Sequence, residues 1–153
     1  MLKEQVQEFL NKAEVNHSEY ERKMQEISDY KKELVQKIKL VINEMKPVYD
    51  FIYSKRYLFQ NEELDISFAR GPVFGIDNKE DEIIYYDVKT GRPYAQYKFN
   101  LDREPRYIQY MQLVEMMDID KLIERAKEPL NHYKAINYIL EREIDKYSTQ
   151  VKE

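Results

Sequence analysis

The chain has 153 residues, a formal net charge of −4 and a mean hydropathy of −0.80, with 35% charged and 42% hydrophobic residues. That balance excludes a disordered polymer and suits one packed domain, expected to span residues 1–153. The absence of cysteine excludes disulfides, thiolate metal sites and a cysteine nucleophile. No stretch approaches the roughly 20 apolar residues of a membrane span, and the first residues show no leader-like apolar run. No membrane partner is therefore expected, and the expected location is cytoplasmic.

The first predicted element is a long helix within residues 1–60. Val6, Ala13, Tyr20, Ile27, Leu34, Val41 and Val48 form one row of a heptad pattern. Leu10, His17, Met24, Lys31, Ile38, Met45 and Ile52 form the other. Steps alternating between three and four residues describe a stripe that packs on another helix. The helix is predicted from about Leu2 to Met45 and continues past Pro47 if Val48 and Ile52 keep the register. The alternative is a break near Asn16, where Ser18-Glu19-Tyr20-Glu21 resembles a capping box.

Residues 61–104 hold all three glycines and read as an antiparallel β-meander of three or four strands. Leu64, Ile66 and Phe68 alternate with Asp65, Ser67 and Ala69. Gly71-Pro72 precedes a strand through Val73 and Ile76, and Asp77-Asn78-Lys79-Glu80 is a turn cluster. Ile83–Val88 and Tyr94–Phe99 flank the clearest hairpin signal, with Val88 expected opposite Pro93. That register places Ile84, Tyr86, Val88, Ala95, Tyr97 and Phe99 on the core face. Ile83, Tyr85, Asp87, Tyr94, Gln96 and Lys98 fall on a mixed, outward one.

Helix resumes after Pro105, in residues 105–153. Tyr107, Tyr110, Met111, Val114 and Met117 share one apolar face. A second heptad stripe runs from Ile119 through Leu130, Tyr133, Asn137, Leu140, Ile144 and Tyr147 to Val151, with Pro129 starting a new segment.

The expected fold is therefore α+β: two long heptad-patterned helices, pairing as an antiparallel coiled coil, flank the small meander. In layout, though in no residue motif, this resembles the prefoldin type. That resemblance implies terminal helices paired as an antiparallel coiled coil, with hairpins assembling the oligomer. The seam is expected at Met24, Ile27, Lys31, Leu34 and Ile38, and at Asn137, Leu140 and Ile144, within one chain or between chains. Polar Lys31 and Asn137 would set register or partner number there.

His17, with Glu14 and Glu21 one turn away, and His132, four residues after Glu128, are expected as structural side chains rather than catalysts or ligands. Asp118, Asp120 and Glu124 suit a helix N-terminus. No cofactor and no metal site is expected. No nucleophile, base and oxyanion group appear together, so the chain is expected to be non-enzymatic.

The acid is concentrated in residues 61–105, and fourteen tyrosines are spread along the chain. Tyr85, Asp87, Tyr94, Tyr107, Tyr110 and Met111 are the expected contacts for another protein, because tyrosine buries area at little entropic cost. A homo-oligomer is expected, with a dimer favoured. The alternative role is nucleic-acid association through Lys31, Lys32, Lys37, Lys39, Lys55 and Arg56, although the net acidity argues against it. Usage heavy in Lys, Glu, Ile and Tyr is that of an AT-rich genome, which fits a phage or mobile-element protein acting on a host complex.

Overall fold

A computed structural model describes residues 1–153 and is α+β. Helix α1 runs unbroken through Leu2–Ser54, about 80 Å at 1.5 Å per residue. It passes both Asn16 and Pro47, so neither the break nor an end at Met45 occurs. Its C-terminus closes as a Schellman motif. Arg56, in the left-handed region at φ 61°, donates its N–H to Tyr53, and Tyr57 donates to Ile52.

Strands β1 (Phe59–Asn61) and β2 (Ile66–Phe68) form a separate two-stranded sheet. Strands β3 (Val73–Asp77), β4 (Glu82–Asp87), β5 (Arg92–Tyr97) and β6 (Arg106–Tyr107) form a four-stranded antiparallel meander. Then come α2 (Tyr110–Met116), α3 (Ile119–Lys127), a 3-10 turn (Glu128–Asn131) and α4 (His132–Lys152). No helix is long and apolar enough to cross a membrane.

Three hairpins share one loop chemistry. Asn61, Asp77 and Asp87 each begin a four-residue loop, and the side-chain Oδ1 of each accepts from the backbone N–H three residues on. Each loop ends on a left-handed residue: Asp65, Asp81 or Gly91. Carboxylate and amide side chains stabilise the start of such a turn, and Asp and Gly tolerate positive φ at its end. In the last hairpin Asp87 pairs with Arg92 and Tyr86 with Pro93. The loop therefore begins one residue earlier than the expected Val88–Pro93 pairing, because Gly91 belongs to the turn and Arg92 to the strand. The pairing shifts by an even step, so Ile84, Tyr86 and Ala95 stay on their expected face, while Val88 moves into the loop.

The main core lies between α1, the α2–α3 pair and one face of the meander. Ile38, Ile42, Met45 and Tyr49 meet Leu113, Leu122 and Ala126 from the helices and Phe74, Ile84 and Tyr86 from the sheet. The Tyr49 hydroxyl donates to the Ala126 carbonyl, which fixes the end of α3 against α1. The buried residues of α1 are Val35, Ile38, Ile42, Met45, Tyr49 and Ile52. Of the second expected row only Ile38, Met45 and Ile52 are buried, joined by Val35, Ile42 and Tyr49, which lie in neither row, while Leu34, Val41 and Val48 are only partly covered.

A second, smaller core fills the opposite sheet face, where Phe68 meets Val73, Ile83 and Tyr85 under the β1–β2 hairpin. The expectation of an outward face is therefore wrong for Ile83 and Tyr85. The unbroken apolar run Ile83-Ile84-Tyr85-Tyr86 was the signal, since such runs mark strands covered on both sides. Gln96, also buried on this face, donates to the carbonyls of Asn100 and Arg103 and accepts from Arg70, tying the 98–105 loop to the sheet.

Candidate interaction surfaces

The expected intrachain coiled coil does not form, and the layout departs from the prefoldin type. Toward the N-terminus α1 leaves the body near Lys31, whose ammonium lies 3.3 Å from Glu115 of α2. Before that point Val6, Leu10, Tyr20, Met24 and Ile27 are exposed. Helix α4 is rooted at the other end of the packed segment, where Tyr133 meets Phe51 and Tyr57 at ring separations of 6.4 and 6.0 Å. The two roots are about 20 residues, or roughly 30 Å, apart along α1. Past its root α4 exposes Asn137, Leu140, Ile144, Tyr147 and Val151. Of the expected seam, only Ile38 is fully buried, with Leu34 and Lys31 partly so, all against the body rather than a second long helix. Each arm therefore carries an apolar stripe that nothing in the chain covers.

The residues expected to meet a protein partner separate sharply. Tyr85 is 0% exposed and packs on Phe68 at 4.7 Å, so it is core. Tyr94 is half-buried between Tyr85 and Tyr107, and Asp87 is occupied in its hairpin loop. Tyr110 is half-buried beneath the Lys39 ammonium, and burial pushes its hydroxyl pKa up to about 12. Met111 packs against the main core. Tyr107 alone remains open, at 45% exposure, with the Arg92 guanidinium 5.5 Å from its ring.

Two further large apolar side chains are open, Phe99 and Leu101. Phe99, expected on the core face, follows the end of β5 and is 68% exposed. Lys98 stacks over it at 5.0 Å. The Asn100 and Asp102 that interleave these residues marked a loop.

The six cations of the nucleic-acid alternative are spread along α1 and its end, from Lys31 to Arg56. Lys31 pairs with Glu115, Lys39 caps Tyr110, Lys55 lies over Phe51, and Arg56 closes α1. Lys32 and Lys37 are exposed.

A cleft of about 540 Å³ opens between β3 and α3. Arg125 donates to the Phe74 carbonyl at 2.7 Å and reaches Glu63 at 3.4 Å, while Lys121 meets Glu63 at 2.8 Å. These contacts hold the Glu63 carboxyl below its usual range, chiefly through the Lys121 hydrogen bond. Both cations are thus engaged, and the cleft brings no nucleophile to a base. Asp118 caps α3 by accepting from Asp120 and Lys121, as its place in the sequence implies. No group of three His, Asp or Glu side chains is placed to hold a metal.

No family model, curated protein or solved structure matches this chain. The surfaces themselves carry the functional argument.

The two histidines play different structural parts. His17 is exposed, with Nε2 3.0 Å from Glu21. His132, 8% exposed at the root of α4, packs on Tyr57 at 4.6 Å, and its buried Nε2 has no partner. Burial lowers its pKa below the ordinary value. The unfolded chain therefore takes up this proton near pH 6.5, while the folded chain resists it. The contribution is fully present above about pH 6.5 and is lost as pH falls from there through the lower folded value. Glu128, whose pKa is raised by burial and by Glu62, contributes the opposite slope. Urea midpoints at pH 7.5 and 5.0 should show a larger acid loss for wild type than for His132→Phe. Equal losses would assign the root no such role.

Proposed function

We propose that the chain is a non-enzymatic protein that self-associates, as a dimer first, and binds another protein through the exposed end of its meander. The observation that carries this reading is the pair of helical arms with uncovered apolar stripes beside a body whose two cores are closed. Burying one Leu, Ile or Val side chain is worth about 1.5–3 kcal/mol, and each arm exposes several in register. Exposed apolar surface of that continuity marks an association site. Support for the second contact comes from large side chains left open at the two ends of β5, Tyr107 with Arg92 over its ring at one end and Phe99 with Lys98 over its ring past the other. Those side chains suit a protein partner presenting carboxylates among apolar groups.

Light scattering over a range of concentrations tests the first half. Wild type is expected to approach twice the 18.7 kDa chain mass, and Ile27→Asp to remain at one. A wild-type monomer at every concentration overturns self-association.

A further inference from the structure

We propose that the α1 arm is covered by the α1 arm of a second copy, laid antiparallel and centred between Ser18 and Glu19; this rests on the self-association proposed above. The stripe is complementary to its own reverse. With that centre Leu10 faces the partner's Ile27, Ala13 the partner's Met24, and His17 the partner's Tyr20. Ala13 then lies against the larger Met24 and the two Tyr20 rings are kept apart, while Val6 falls opposite the partner's Lys31 at the edge of the overlap. The parallel arrangement stacks each residue on itself. Ala13 on Ala13 leaves a gap beside a crowded pair of Tyr20 rings, and Lys31 faces Lys31 with like charge.

The flanks and the length agree. Phe9 and Tyr30, both exposed, lie beside the stripe, and the antiparallel centre sets each against the other across the seam. The opposing cost is Glu14 near the partner's Glu21, and Glu21 already receives the His17 imidazole at 3.0 Å. With the same centre Met1 comes opposite the partner's Gln36, next to Val35, the first buried residue of α1. The overlap therefore takes in the whole uncovered arm and runs past Lys31 to the point where α1 becomes buried in the body. The result is a closed two-fold interface with the two bodies at opposite ends. Pairing of an α1 arm with another copy's α4 arm would instead be heterologous, and propagates wherever the reciprocal contact does not close it.

The absence of cysteine makes the arrangement directly readable. Three variants are oxidised: Leu10→Cys, Ile27→Cys and the double variant. Both positions are exposed in the single chain, so the body folds in each. Antiparallel pairing predicts near-complete covalent dimer for the double variant and little for either single one, whose equivalent residues lie roughly 25 Å apart along the seam. Efficient cross-linking of both single variants overturns the orientation while leaving self-association standing. A dimer that survives Ile27→Asp and is lost on Ile144→Asp overturns the choice of arm. A mass that keeps growing past the dimer does so too. A wild-type monomer overturns the broader reading as well, so the two failures are distinguishable.

Discussion

Ile38→Asp is expected to unfold the body, whereas Ile27→Asp, three turns earlier on the same helix, leaves the stability of the single chain within about 0.5 kcal/mol. The chemical change is identical and the surroundings are not. Ile38 is 0% exposed and belongs to the main core, while Ile27 is 47% exposed on the free arm. Losing a buried isoleucine costs about 2–5 kcal/mol. An unpaired carboxylate in the same place adds a desolvation penalty of about several kcal/mol more. Together these approach the roughly 5–15 kcal/mol that holds a domain of this size. Urea denaturation followed by circular dichroism, at dilutions that keep chains apart, separates the two variants. Equal destabilisation would place the arm inside the cooperative core and remove the reason for assigning it to association.

Gly71→Ala is the second large effect, with an expected loss of about 3 kcal/mol or more. A Cβ at Gly71 would sit 1.7 Å from the carbonyl oxygen of Tyr86, which is backbone and has nowhere to go. The approach is close because the chain before β3 continues to pair with β4: Tyr86 donates to Pro72 and Val88 to Arg70, both at 3.0 Å. Gly75 is the control. A Cβ there would meet the flexible tip of Met117 at 3.2 Å, which can give for about 1 kcal/mol, and would only touch Arg125 Nη1 at 3.4 Å. A smaller shift in urea midpoint for Gly71→Ala than for Gly75→Ala would contradict this account of the strand pairing.

Much of this architecture was legible in the residues alone. The three-and-four spacing of apolar residues from Val6 to Ile52 marked one long helix, and α1 runs through all of it. Alternation in Ile84, Tyr86 and Ala95 marked the face that meets the helices. Asp77 and the glycine at 91 marked two of the three hairpin loops. The candidate surface was less legible. Tyr85 and Phe99 exchanged places, one expected outside and buried, the other expected inside and exposed. Alternation says which residues share a face, but not which face is covered. The cover on Tyr85 comes from β1–β2; alternation marked Ile66 and Phe68 as strand, but not that they pair with Phe59–Asn61 in a separate sheet laid over the meander.

The sequence by itself determined the elements, because helix and strand periods and turn chemistry act over a few residues. Tertiary structure alone decided how far each stripe is satisfied. A heptad calls for an apolar neighbour without specifying one. Helices α2 and α3 and the meander supply that neighbour to Val35–Ile52, and neither reaches residues before Lys31 or the length of α4. The same seven-residue pattern is core at one end of α1 and open surface at the other, because burial depends on what the rest of the chain is long enough to cover.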